Sequence, residues 1–165
     1  MPANVSIRWG IRKDLPAIMG IESRSFSNPW TDHQFGFCLR QRNVTLIVAE
    51  NKVGVVGYAV YAFQPSHAEL LNVAVHPGTR WQGIGRQLLR QIQGRLTVTR
   101  RRVVAVVSEG NLYGHLFFKA CGWRATGVIR DAFPDCDQMI DGYRFEWSLD
   151  RALMVRSDEF ACEGK

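Results

Sequence analysis

The chain reads as an α/β (α+β) domain: a mixed central β-sheet flanked by helices on both faces. Three observations predict it. Strand-like and helix-like segments follow one another as β-α-α-β-β-β-α-β-α-β-β. Val103 to Val107 is an unbroken apolar run of strand length, as expected of a strand covered on both faces. Glu69 to Leu96 passes from a β-rich run through His76-Pro77-Gly78 into a helix with Ile84, Leu88, Leu89, Ile92 and Leu96 along one face.

Taken in order, Val5 to Trp9 is a short strand and Lys13 to Phe26 a helix with Leu15, Ile18, Met19 and Glu22 at helical spacing. Asn28-Pro29-Trp30 breaks that helix, because a residue before proline is pushed out of the α region. Thr31 with Gln34 forms a capping box for a second helix that ends near Gln41. Val44 to Glu50 and Val53 to Gln64 pair across a tight turn at Asn51-Lys52, with Gly54 and Gly57 marking a bulge or bend. Asn111 to Cys121 is a helix stopped by Gly122. Trp123 to Phe133 and Gly142 to Leu149 are the last strands, joined by a polar turn from Pro134 to Asp141.

Residues 1–150 form a single domain, and 151–165 a tail without clear periodicity. No apolar run approaches the ~18 residues of a membrane span, and no signal-peptide core opens the chain; the expectation is a cytoplasmic protein with no membrane partner. Cys38, Cys121, Cys136 and Cys162 show neither metal spacing nor C-x-x-C, so reduced thiols and no metal site are expected. Cys136 as a nucleophile lacks an evident base. The net charge of +6 favours an anionic partner without choosing between a nucleotide coenzyme and a nucleic acid. Arg100-Arg101-Arg102 is too short for a nucleic-acid arm, and direct nucleic-acid binding is not expected.

The turn Arg80-Trp81-Gln82-Gly83-Ile84-Gly85-Arg86 carries the chemistry. The first N–H groups of a helix lack intrahelical partners, and the helix dipole favours an anion there. Gly83 and Gly85 let the backbone approach a ligand closely, and Arg80 and Arg86 can add charge-assisted bonds. A tight turn without a ligand is the competing reading. No Gly-Lys-Ser/Thr follows, so this is not a P-loop, and Leu88 breaks the dinucleotide fingerprint.

The pattern R/Q-x-x-G-x-G/A directly after a strand reading N-V-A-V-x-P resembles the GNAT superfamily of acyl-CoA N-acyltransferases, over roughly Ser6 to Leu149. The segment Ile21 to Phe35 is similar to that of the RimI-type, ribosomal-protein alanine N-acetyltransferase branch. The resemblance implies acetyl-CoA as cofactor, its pyrophosphate held at Arg80, Trp81, Gln82, Gly83, Ile84, Gly85 and Arg86. It also implies that the pantetheine arm is bonded by Val73, Ala74 and Val75, and that Asn111 contacts the coenzyme, although a helix cap is the commoner use of such an asparagine. Glu22, Pro29 and Trp30 would form one wall of the acceptor site.

Two positions depart from the family: Phe118 stands where a tyrosine acid is usual, and Val106 where the RimI-type branch has its glutamate base. Glu69 is the replacement base, at a position resembling the catalytic glutamate of the histone-acetyltransferase branch; the alternative is a solvated strand-end carboxylate. His115, three residues before Phe118, is a weaker candidate acid against an ordinary surface histidine. The expected activity is acetyl transfer to a primary amine, foremost a protein N-terminal α-amine, with a ribosomal protein among the candidate acceptors, by direct attack in a ternary complex. The alternatives are a small-molecule amine acetyltransferase and a catalytically silent acyl-CoA-binding module.

Overall fold

The computed structural model describes residues 4–135 and 138–151. Seven strands form one sheet: β1 (Ser6–Trp9), β2 (Val44–Asn51), β3 (Gly54–Phe63), β4 (Ala68–Val75), β5 (Arg102–Ser108), β6 (Arg124–Asp135) and β7 (Gln138–Ser148). The sheet is accompanied by the helices α1 (Leu15–Ser23), α2 (Asp32–Leu39), α3 (Ile84–Gln93) and α4 (Leu112–Ala120). The strand order is β1-β2-β3-β4-β5-β7-β6, and the β4–β5 contact alone is parallel, all other pairs being antiparallel.

Two apolar layers sandwich the sheet. On one face Ile84, Leu88, Leu89 and Ile92 of α3 are at most 2% exposed against Ile47, Ala59, Leu70 and Ala105, with Phe118 of α4 in the same cluster. Burying four such side chains contributes roughly 1.5–3 kcal/mol each. On the other face Ile18, Ile21 and Phe35 from α1 and α2 pack on Leu46, Val48, Tyr58 and Val60.

Some boundaries move. The expected helix from Lys13 to Phe26 becomes a 3-10 turn, Arg12–Asp14, followed by a shorter α1. The second helix stops at Leu39, and α3 stops at Gln93, where Gly94 follows, although Leu96 still packs against the core. The polar turn expected from Pro134 to Asp141 is instead mostly strand: β6 runs to Asp135 and β7 starts at Gln138. A register shift between Ile129 and Phe133, with Asp131 at φ 51°, accommodates this, and β6 is an edge strand, where proline is tolerated. Cys38 and Cys121 are free thiols; Cys136, Cys162 and nearly all of the expected tail lie outside the described residues. Among the described residues no helix is long and apolar enough to cross a membrane.

The start of the domain is fastened by charge. Arg8 of β1 donates from Nη1 and Nη2 to the two oxygens of Asp14 (2.8 and 2.9 Å) and from Nε to Glu50 (2.8 Å). Asp14 is 7% exposed, and the Arg8 hydrogen bonds hold its carboxyl below the ordinary 3.8 in spite of desolvation. A carboxyl depressed in the folded state contributes stability above its unfolded pKa, and that contribution fades as pH falls through the folded value. Asp14→Asn therefore loses about 2 kcal/mol at pH 7. Urea titrations of both proteins will show the gap narrowing once pH drops below 3.8.

Candidate functional site

Strand β4 is where the sheet opens. It pairs with β5 only at Ala68↔Val103, Glu69↔Val104 and Leu70↔Ala105, after which the two strands part. On its other side the register with β3 slips between Tyr61↔Leu70 and Val60↔Asn72, so Leu71 is an extra residue. One inserted residue reverses the facing of every side chain after it. Ala68 and Leu70 point into the α3–α4 layer, and beyond the bulge Val73 and Val75 do so; Leu71 and Ala74 pack in the α1–α2 layer, and Asn72 reaches Glu22 on that same side.

The opening leaves amides without a ladder partner. His76 donates its N–H to the Val56 carbonyl of the β3 side (2.8 Å), so strand alternation turns the Val75 and Val73 amides the opposite way, into the gap. The Val75 carbonyl on that side accepts from Arg80 Nε at 3.1 Å. Ala74, paired with Tyr58, turns its backbone to β3 and away from the gap, which corrects its inclusion with its neighbours as an arm-binding amide.

The loop before α3 continues from the gap. Gly83 is the N-cap in the left-handed region (φ 78°), and Trp81 also has positive φ (65°). A Cβ built on Gly83 meets no atom within 4 Å, so the loop presents bare backbone to open space. A Cβ on Gly85 would stand 3.0 Å from the Phe117 ring, so its glycine serves the close approach of α3 to α4 rather than a ligand. Ile84 is 2% exposed and contributes backbone alone to this surface, while Gln82 is exposed. Arg80 Nη2 donates to Ser25 Oγ (3.0 Å), and Arg86 Nη2 to the Ala120 carbonyl (3.2 Å). Among the described residues neither guanidinium is paired with a carboxylate, so the loop's positive charge is uncompensated. Trp81, 89% exposed, meets Tyr113 of α4 edge-on at 6.4 Å across the loop mouth. Asn111 caps α4, its Oδ1 accepting from Gly114 N (2.9 Å). Unpaired amides in the gap, a bare left-handed cap and two arginines without carboxylate partners suit a ligand with a phosphate at one end and a hydrogen-bonding arm at the other.

The remaining candidates separate. Glu69 lies on the α1–α2 face, opposite in facing to Ala68 and Leu70, and accepts from Gln64 Nε2 (3.3 Å). His115 is on the other side of the sheet: its Nε2 is 2.8 Å from the Ser108 carbonyl, and its ring lies against Tyr143 (5.1 Å) and Phe145 (5.4 Å). That packing withdraws it as an acid partner of Glu69. Phe118 is 5% exposed between Trp123 and Phe145, a core residue with no proton to offer. Val106 is 38% exposed on the Glu69 face.

Glu22 is not an open acceptor contact. It is 1% exposed, and its carboxylate accepts from Trp30 N (2.7 Å), from Asn72 Nδ2 (3.2 Å to each oxygen) and, in a very short bond, from Tyr58 Oη. Burial, and then the neighbouring carboxylate, push the Tyr58 phenol well above its ordinary range, which keeps it a donor. Trp30 packs edge-on against Phe35 (5.2 Å), and Pro29 is exposed beside it. Glu22 and Trp30 thus brace the α1–α2 loop against the sheet from within, with Pro29 on its surface. Sequence reasoning passed over Tyr58 and Asn72; an asparagine inside Glu-Leu-Leu-Asn-Val-Ala-Val was the available signal.

The chain belongs to the acetyltransferase (GNAT) family, whose model matches residues 14–123. It is 27% identical over 128 residues to the [ribosomal protein bS18]-alanine N-acetyltransferase of Escherichia coli K12, spanning 75% of this chain and 84% of that protein. The crystal structure of the Escherichia coli ribosomal-protein-S18-alanine N-acetyltransferase superposes with a TM-score of 0.75 at 21% identity, covering 88% of this chain and 94% of that one. Arabidopsis thaliana NAA60 in complex with acetyl-CoA gives 0.77 at 14% identity over 89% and 99% of the two chains. The protein is an N-acetyltransferase of this family, and its fold is shared with these solved acetyltransferases.

Proposed function

We propose that this N-acetyltransferase uses acetyl-CoA to acetylate a protein N-terminal α-amine by direct attack in a ternary complex. The observation that carries it is the pairing of unsatisfied Val73 and Val75 amides in the β4–β5 gap with the uncompensated loop Arg80–Arg86 at its mouth. Arg80, Arg86 and the bare backbone from Gln82 to Gly85 would hold the pyrophosphate, and Asn111 and the Val73 and Val75 amides the arm. Bound there, acetyl-CoA supplies an activated acetyl thioester. The Val73 N–H is then the donor available to a developing oxyanion.

The proton of the incoming amine falls to Glu69. Four residues of strand separate it from Val73, about 13 Å at a strand's rise, so proton transfer to it requires a chain of more than one water. A weak base of this kind selects its acceptor. A peptide α-amine of pKa ~7.8 is about a quarter neutral near pH ~7.3, whereas a lysine at ~10.4 is neutral to roughly one part in a thousand. With Val106 and Phe118 apolar, an amine that keeps a sizeable neutral fraction near neutral pH is the one this site can use; the bS18-alanine relative favours the same acceptor type.

Free-thiol release against N-terminal peptides, lysine peptides and small amines tests the reading. Turnover is expected with N-terminal peptides first, and Glu69→Gln should lower kcat about 10- to 100-fold with coenzyme affinity unchanged. An unaltered kcat removes Glu69 from the reaction. Coenzyme binding without thiol release from any amine leaves a silent binding module instead, the outcome that Val106 and Phe118 would explain.

A further inference from the structure

The face of the sheet that carries Glu69 continues across β5 and β7. Cross-strand register sets Glu69 beside Val104, Val104 beside Glu146, and Glu146 beside Arg124; in the next row Val106 stands beside Arg144. Tyr143 and Phe145 point to the α4 side, so Arg144 and Glu146 share the acceptor side with Val106. Directly opposed residues of an antiparallel pair lie ~4.5–5.5 Å apart at Cβ. A guanidinium therefore adjoins the position where the branch is expected to carry its glutamate.

That guanidinium is poorly satisfied. Arg144 Nε is shut off from solvent and has no hydrogen-bond partner. Its Nη2 is 3.8 Å from Glu146 Oε2, beyond the ~2.7–2.9 Å of a charge-assisted bond, and the same oxygen is 3.9 Å from Arg102 Nη1. One carboxylate thus serves two arginines, with Arg124 opposite it as a third cation. The site is also roofed. A Cβ on Gly142 would stand 2.7 Å from Val106 Cγ1 and 2.9 Å from the Phe133 ring, so Phe133 folds over this row. Asn28 Nδ2 donates to the Pro134 carbonyl (2.7 Å) and ties the β6–β7 ribbon to the α1–α2 loop.

Resting on the proposed acceptor reading, we infer that Arg144 determines specificity by pairing with a carboxylate on the acceptor, so that the favoured N-termini carry Asp or Glu in their first two residues. An amine lying over Val104 and Val106 has Glu69 on one side and Arg144 on the other. At ~3.3 Å per residue, a side chain one or two positions from the amine is the part that reaches the guanidinium. Apolar neighbours and a buried Nε strengthen such a pair relative to one in water.

Peptides differing only by Asp, Asn or Lys at the second residue, assayed by thiol release, test the inference. The wild type should favour Asp over Asn by roughly tenfold in kcat/KM. Arg144→Gln should abolish that ratio, and Arg144→Glu should reverse it in favour of Lys, a reversal that a structural role alone would not produce. Calorimetry with acetyl-CoA verifies that both variants keep the coenzyme site. A ratio near one in the wild type, or one unchanged in both variants, overturns the inference while leaving the transferase intact. Absence of thiol release with every acceptor removes the transferase reading itself. Free aspartate used faster than the Asp peptide assigns the carboxylate to a small molecule and overturns the peptide assignment.

Discussion

Gly83→Glu is expected to eliminate measurable acetyl-CoA binding. Two effects act together. At φ 78° an L-residue pays the left-handed penalty of ~1–2 kcal/mol. The new carboxylate also projects into the open space at the helix start, where the proposed pyrophosphate sits. Like charges ~5 Å apart at an effective dielectric of ~20 repel by roughly 3 kcal/mol, which alone is a factor of about a hundred. Gly83→Ala separates the contributions, because it brings the backbone strain without the charge and should weaken binding less than about tenfold. Isothermal titration of acetyl-CoA into both variants decides the matter. Affinity within threefold of wild type for Gly83→Glu would mean that the loop grips no phosphate, and the reading of this site would fail with it.

The loop could be found in the sequence because its parts are consecutive. Arg80 to Arg86 follow a strand and open a helix, so periodicity and helix-end chemistry suffice to locate them. The sheet was legible for a similar reason: strand and helix periods differ, and the apolar run Val103–Val107 marks a strand, although its expected cover on both faces fails at Val106, which is 38% exposed. The proposed acceptor face was not legible, since β4, β5, β7 and β6 each give one residue to a row and only register assembles them. Strict alternation from Ala68 would have put Asn72 under α3. The extra Leu71 moves it to Glu22, and nothing in Glu-Leu-Leu-Asn announces a bulge. His115 failed because spacing on a helix says which residues share a stripe, not which wall the stripe meets; here it meets Tyr143 and Phe145. Pro134 suggests the start of a polar turn because its edge position, which makes it harmless in a strand, depends on the strand order.

That relocation of Asn72 makes Glu22 the second large effect. The Glu22 carboxylate is acceptor-only, and the three groups around it, Trp30 N–H, Tyr58 O–H and the Asn72 amide, are all donors. Glu22→Ala leaves them unsatisfied in a layer where Tyr58 is 0% exposed, and removing one side of a buried charged network costs ~3–5 kcal/mol. For a chain of this size each kcal/mol is worth about 2–4 °C, so the midpoint should fall by roughly 6–20 °C. Tyr58→Phe removes only one donor and should cost about 1–2 kcal/mol, since the carboxylate keeps its other partners. The double variant should cost less than the sum, because after Glu22→Ala the phenol no longer has an acceptor to lose. Thermal denaturation of the three variants measures this cycle, and a Glu22→Ala loss below about 1 kcal/mol would show that the network does not hold the wall. The same cycle bears on function. Asn72 precedes Val73, so the bond its amide donates to Glu22 fixes the strand just where the unpaired amide faces the gap. Tyr58→Phe, which folds, should therefore lower kcat more than it weakens coenzyme affinity, whereas a purely structural tyrosine would change neither.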